Sequence, residues 1–330
     1  MKKASKVLIT TVPFAERNRL PLEIIDDAGI EYCINPLCRK LKEDELAEMI
    51  SDFDVVIAGT ELITEKVMNR ASRLKLISRV GIGLDSIDLL AAERRGIKVS
   101  YTPDAPAPAV AELTIGLILS LLRSVHLANV EMHRGEWHRF FGRRIPEVTI
   151  GIIGAGRIGG RVLRHLSDFG SPRILVNDIH PDHHLSDELT LEWVGKEEIY
   201  READVITLHL PMTVHTKNLI RREQLMQMKS DALLINTSRG GIINEHDLAE
   251  VLKSGYLGGA AIDVFEHEPY GGELTGIDTC LLTSHMGSMS IDCRTRMEIE
   301  ATEEVVRFLA GQALIGEVPA EEYEVQRQRL

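Results

Sequence analysis

The chain has no block of basic residues, no CxxC pair and no apolar run long enough to cross a bilayer. Its formal net charge is −12, which makes nucleic acid an unsuitable partner. An anionic small molecule stays open, because individual arginines can override the acidic balance locally. Four cysteines (Cys33, Cys38, Cys280 and Cys293) fit no metal-binding spacing. They read as reduced thiols of a cytoplasmic protein, and no metal site is expected. The basic start, MKKASKVLITTVPFAERN, has too short an apolar stretch for a signal peptide. The longest apolar region, residues 109–122, contains Glu112, Thr114 and Ser120, and is too short and too polar to span a membrane. Repeats and low-complexity tracts are missing as well.

What is present is the material for two domains: 330 residues, of which 44% are hydrophobic. Short β-rich runs alternate with helical patterns over the first hundred residues. Strands are expected at 6–10, 31–35, 54–58, 74–78 and 97–101, with Gly29 and Gly96 at helix C-caps. Such alternation predicts a parallel sheet covered on both faces. The proline-rich segment YTPDAPAP then leads into one long helix over 109–135, apolar on most sides and so buried in a core or at a subunit interface. A second series of strands follows at 147–154, 173–178, 204–210, 232–237, 258–263 and 280–284. That succession suits a second doubly wound sheet. A last helix, about 290–310, is free to return to the first domain.

The most specific local motif is VTIGIIGAGRIGGRVLRHL, in which Gly154, Gly156 and Gly159 form GxGxxG between a strand and a helix. The first glycine allows the tight turn, the second lets backbone approach a pyrophosphate, and the third lets helix and strand pack closely. Amides near Arg157 and Ile158 would hold the phosphates. Asp178, at the end of the next strand, is placed for ribose hydroxyls and favours NAD over NADP, since a carboxylate repels a 2′-phosphate.

Three further strand ends carry polar groups: Arg239 in LLINTSRGG, Asp263 and Glu268 in AAIDVFEHEP, and His285 in LLTSHMGS. Each alone reads as an ordinary loop charge or structural histidine. Together, on the edge where open α/β sheets bind ligands, they point to a site. Arginine can fork onto a carboxylate and a carbonyl. Histidine can exchange the proton of a reduced carbonyl, and a carboxylate beside it would orient the ring. The chemistry this set fits is hydride transfer between a nicotinamide and a 2-keto acid.

With GxGxxG and Asp178, then HLPMTVHT, INTSRGG, AAIDVFEHEP and SHMGS in that order, the chain resembles the D-isomer-specific 2-hydroxyacid dehydrogenase family over nearly its whole length. The resemblance implies a Rossmann NAD-binding domain, residues 104–287, and a flavodoxin-like substrate domain, residues 1–103 plus 288–330, with hinges near Pro103 and Gly287. It implies NAD as cofactor, a small 2-hydroxy or 2-keto acid as substrate, and a homodimer formed through the long helix. Arg239 is then the substrate-binding cation, His285 the acid/base and Glu268 its partner. Backbone groups of Ile82 and Gly83, in VGIGLD, hold the substrate carboxylate. Asp263 contacts the nicotinamide carboxamide. His209 and Pro211 border the adenine side, and Thr237 belongs to the cofactor set.

The chain departs from the family pattern in three places. Pro106 and Ala109 stand where relatives carry Asn and Ser, which speaks against a standard phosphoglycerate specificity. Ser284 replaces the proline before the histidine. The sequence ends soon after VVRFLAG, so the regulatory domain of longer phosphoglycerate dehydrogenases is not expected. Phe14, Arg17 and Arg79 are candidates to face the substrate, the arginines for a second anionic group. Two other readings use the same residues: an NADH-binding sensor or corepressor-like partner protein, and a phosphite dehydrogenase. A formate dehydrogenase would pair its histidine with Gln rather than Glu268.

Overall fold

The computed structural model describes residues 5–327. The chain forms two compact units, one running up to Pro106 and resuming at Met289, the other spanning Ala107–Ser288.

In the first unit, β1 (Lys6–Ile9), β2 (Glu31–Ile34), β3 (Val55–Ala58), β4 (Leu76–Arg79) and β5 (Lys98–Tyr101) form one parallel sheet in the order β2-β1-β3-β4-β5. This is the flavodoxin-like order. Successive strand residues point to opposite faces, so a sheet covered on both sides needs unbroken apolar runs. Val7, Ile9, Val55, Ile57 and Leu76 pack on one side with Met297, Ala301 and Val305 of helix Ile291–Leu309. Leu8, Val56, Ile77 and Val99 pack on the other. Each fully buried side chain of this kind contributes roughly 1.5–3 kcal/mol. Ser290 caps helix Ile291–Leu309 by accepting from the Cys293 amide at 3.3 Å. Asp88 caps Leu89–Arg94 through the Ala91 amide at 2.8 Å. Gly29 and Gly96 end their helices with φ of 64° and 66°.

In the second unit, β6 (Thr149–Ile153), β7 (Arg173–Asn177), β8 (Glu192–Trp193), β9 (Val205–Leu208), β10 (Leu233–Asn236), β11 (Gly259–Ile262) and β12 (Cys280–Leu282) form a seven-stranded parallel sheet. The order is β12-β11-β10-β9-β6-β7-β8, a Rossmann order that reverses between β6 and β9, with one extra strand at the edge. The two-residue β8 escaped sequence reading because it is too short for any periodicity. Ile150, Ile152, Val205 and Ile235 lie on one face, and Ile153, Ile206, Leu208 and Leu234 on the other.

The long helix expected over 109–135 is two helices, Ala107–Leu122 and Val125–His133, bent by 65°. Ser124 between them adopts a left-handed conformation, φ 50°, which ends the first helix. The chain returns through Arg143, whose amide donates to the Leu122 carbonyl at 3.0 Å. The first helix is buried within its unit against Val162, Leu163, Leu233 and Ala261. The second buries no residue. Among the described residues no single helix is long and apolar enough to cross a membrane.

Candidate active site

The glycine-rich turn follows β6 directly. Gly154 has φ +96°, and a Cβ there would overlap the His209 carbonyl; one on Gly159 would overlap the Gly154 carbonyl. Strand, turn and helix are therefore in backbone contact at both positions. Gly156 is different: a Cβ there would meet nothing within 4 Å. The protein itself has no steric need for glycine at that point, which is what a cradle for a pyrophosphate requires. Arg157 and Ile158 lie in the turn, just before helix Gly159–Ser167.

Asp178 follows β7 and folds back on this turn. Its Oδ2 accepts from the Ala155 amide at 2.7 Å and its Oδ1 from the His180 amide at 2.8 Å. The carboxylate thus also locks the turn, a role its position in the sequence did not disclose.

His209 continues β9, its amide bonded to the Ile153 carbonyl at 2.8 Å. Its Nε2 lies 3.1 Å from Thr207 Oγ1, while Nδ1 is buried without a partner among the described residues. Burial lowers its pKa to about 3, so the ring is neutral near pH 7. Pro211, two residues on, is exposed. Thr237 is buried, its hydroxyl 2.9 Å from that of Thr114 on the buried helix. That places the Thr237 side chain as a brace between β10 and the helix.

Arg239, Glu268 and His285 come from the loops after β10, β11 and β12. The first loop is shaped by Asn236, whose Nδ2 donates to the Arg239 carbonyl at 2.8 Å and whose Oδ1 accepts from the Ser238 amide at 3.0 Å. Arg239 Nη1 donates to the Ser238 carbonyl at 2.6 Å. Next to it, Gly240 packs backbone on backbone against Phe265 and Glu266, leaving no room for a Cβ. This contact joins the Arg239 loop to the Glu268 loop. The Glu268 loop is held by two carboxylates, Glu268 Oε1 on the Phe265 amide (3.1 Å) and Glu245 Oε1 on the Glu266 amide (2.7 Å). Burial raises the Glu245 pKa.

His285 Nδ1 sits 2.8 Å from Glu268 Oε2 and 3.0 Å from Oε1. His285 has φ 50°, a left-handed conformation that a non-glycine residue adopts only when its surroundings impose it. The surroundings here are Asp263. Its carbonyl accepts from the His285 amide (2.8 Å), its Oδ1 from Thr283 Oγ1 (2.6 Å) and the Met286 amide (2.9 Å), and its Oδ2 from the Gly287 amide (3.0 Å). Asp263 is 1% exposed. Its carboxylate holds the histidine loop. Sequence reading missed Asn236, Thr283 and Glu245. Each is a polar residue at a strand end or helix start; the partners of Asn236 are in its own loop, while those of Thr283 and Glu245 lie at or after β11.

Ile82 and Gly83 belong to the other unit, in the turn after β4, and both are half-buried. Phe14, Arg79 and Arg17, the candidates to face the substrate, lie in the first unit. Phe14 is buried in the core with Ile25 and Met297. Arg79 is 7% exposed, with Nε donating to the Gly83 carbonyl at 3.0 Å and Nη1 to the Val80 carbonyl. Arg17 is exposed.

A model of the D-isomer specific 2-hydroxyacid dehydrogenase NAD binding domain matches residues 115–287. A hydroxypyruvate reductase of Thermotoga maritima is 36% identical over 276 residues, covering 82% of this chain and 89% of that protein. A D-3-phosphoglycerate dehydrogenase of Methanocaldococcus jannaschii is 38% identical over 278 residues, 82% of this chain but 53% of that protein, so the chain spans about half of that relative. The crystal structure of the TT0316 protein of Thermus thermophilus superposes with a TM-score of 0.86 at 32% identity, over 95% of this chain and all of that one.

Proposed function

Because the chain belongs to the D-isomer specific 2-hydroxyacid dehydrogenase family and is an NAD-dependent enzyme of it, we propose that it interconverts a small D-2-hydroxy acid and its 2-keto acid through Arg239, Glu268 and His285. The observation that carries this reading is the pair His285–Glu268. Both carboxylate oxygens lie within 3.0 Å of Nδ1. That commits one ring nitrogen to the carboxylate and turns Nε2 to the substrate, the same division of labour that orients a catalytic imidazole elsewhere.

The residues fit the cofactor: an open Gly156 before a helix N-terminus for the pyrophosphate, and a carboxylate at Asp178 for the ribose. Gly154 and Gly159 shape the turn, Arg157 and Ile158 present amides to the phosphates, and His209, Pro211 and Thr237 line the remaining length. NAD, when bound, supplies the hydride acceptor or donor. In this reading Arg239 binds the substrate carboxylate and carbonyl. The Ile82 and Gly83 backbone takes the carboxylate. His285 Nε2 gives its proton to the carbonyl oxygen during reduction, and takes it back during oxidation. Asp263 keeps the histidine loop in register and contacts the nicotinamide carboxamide.

We assign the first unit, with Ile82 and Gly83, as the substrate domain, and the second, with Arg239, Glu268 and His285, as the NAD-binding domain. We read the assembly as a homodimer, with the unburied helix Val125–His133 and the exposed Trp137 and Phe141 as the contact. Four free thiols favour the reducing cytoplasm.

The test is NADH oxidation with a panel of 2-keto acids. Activity with at least one is expected, falling by about 100-fold or more in His285→Ala, the usual scale of a lost general acid. No turnover with any 2-keto acid, or full activity in His285→Ala, refutes the proposal.

A further inference from the structure

Resting on the reading of Ile82 and Gly83 as the carboxylate contact, we propose that Arg79 is a positioning residue that sets the Val80–Gly83 turn for carboxylate recognition.

Arg79 is the last residue of β4, and its side chain is 7% exposed. A guanidinium is seldom buried without a specific set of acceptors. Here the acceptors are the backbone of the very next turn. Nε donates to the Gly83 carbonyl at 3.0 Å, and Nη1 to the Val80 carbonyl. Between those two carbonyls lies Gly81, with φ +132°, where a Cβ would come within 3.0 Å of Nη1. The turn wraps around its own arginine, and only glycine lets it do so.

Thr102, just past β5, holds the turn from the other side. Its Oγ1 accepts from the Gly81 amide at 2.8 Å, and its own amide donates to the Gly81 carbonyl at 3.1 Å. The carbonyls of Val80, Gly81 and Gly83 therefore all have internal donors. In a trans peptide the carbonyl and the following N–H point opposite ways. Fixing the Gly81 carbonyl on Thr102 thus fixes the direction of the Ile82 N–H. Arg79 grips the peptide planes before and after this stretch, so the Gly83 N–H is confined between anchored neighbours. Among the described residues no protein acceptor is recorded for the Ile82 or Gly83 amide. Two adjacent amides left over at the carboxyl edge of a parallel sheet make an anion-binding concavity. Two of the guanidinium nitrogens serve carbonyls of the turn, which leaves its amides to face outward.

Arg79 thus acts on substrate through backbone, not by touching it. Lysine cannot reproduce this, since a single ammonium lacks the planar fork that spans two carbonyls.

The experiment uses the full chain with NADH and two probes: glyoxylate, and glycolaldehyde, which replaces the carboxylate with a hydroxymethyl group. In Arg79→Met, KM for glyoxylate should rise about tenfold or more, the scale of lost charge-assisted hydrogen bonds, while kcat changes less than threefold. The kcat/KM for glycolaldehyde and NADH affinity by fluorescence should stay within about twofold. Arg79→Lys should fall between wild type and Arg79→Met. Thr102→Val should shift the glyoxylate-to-glycolaldehyde ratio in the same direction, and decides the matter if Arg79→Met does not fold. An unchanged ratio in these variants, through equal losses on both probes or none, overturns the inference. A wild-type enzyme that does not prefer glyoxylate to glycolaldehyde overturns the carboxylate reading itself, and the inference with it.

Discussion

Gly240→Ala is the substitution that tests the geometry of the site most directly. Gly240 lies one residue beyond Arg239, and an added Cβ would overlap Phe265 C and O and Glu266 N, all backbone atoms. Real Cβ atoms essentially never approach other heavy atoms closer than 3.0 Å. No side-chain rotation relieves the overlap. One of the two loops must retreat by on the order of 1 Å, and a shift of that size in a catalytic group costs about 100-fold in rate. The moving parts are Arg239 on one side and, through the Phe265 amide, Glu268 on the other. Overpacking of this kind also costs about 1–3 kcal/mol of stability. The expected result is a fall of about 100-fold in kcat/KM for the 2-keto acid. NADH affinity, measured by fluorescence titration, should hold within about threefold, because the dinucleotide turn lies on other strands. A folded Gly240→Ala protein with kcat/KM within twofold of wild type would refute the argument that this backbone contact sets the site.

The neighbouring glycine motif gives the opposite expectation. In Gly156→Ala the added Cβ meets no protein atom within 4 Å, so urea unfolding should shift by no more than about 0.5 kcal/mol, while NADH affinity drops at least about tenfold from lost backbone approach. His209 should make the protein acid-sensitive. Its folded pKa of about 3 lies below its unfolded value, so its contribution is present above the unfolded pKa and is lost progressively as pH falls toward 3. Each pH unit in that window costs up to about 1.4 kcal/mol. His209→Asn should therefore lose less stability than wild type between pH 7 and pH 4.5, as read from urea midpoints; equal losses would contradict the assignment. Trp137→Glu combined with Phe141→Glu should convert a dimer to a monomer in light scattering, since these side chains are 82% and 104% exposed; an unchanged mass would remove this segment from the interface.

Much of the fold was readable because parallel strands buried on both faces must be continuously apolar, and their runs stand out between helical patterns. The long helix was misread for a related reason. Its apolar character extends to Leu122, and the residues beyond still favour helix, so nothing local marked the left-handed Ser124 where the axis turns. The backbone bonds of Arg79 were not legible because a charged residue at a strand end looks the same whether it reaches outward or curls under its own turn. That choice is made by Gly81 and by Thr102, which lies just past β5. Asp263 shows the same thing in the second unit: its donors, Thr283 and the amides of Met286 and Gly287, all come from beyond the neighbouring strand β12.

By itself the sequence determined the parallel α/β class, the GxGxxG turn with its partner Asp178, and the order in which Arg239, Glu268 and His285 reach the edge of a sheet. These follow from periodicities and spacings within single strand–helix units. Only the tertiary structure decided that both Glu268 oxygens face His285 Nδ1, that Asp263 holds the histidine loop, that Gly240 joins two loops, and that Arg79 serves backbone. The first three rest on hydrogen bonds or close contacts between residues of different loops, and the Arg79 turn is held by Thr102, 21 residues past Gly81. Such pairings exist only once the sheet has set its strand order, because a side chain's partner is fixed by position in space and not by distance along the chain.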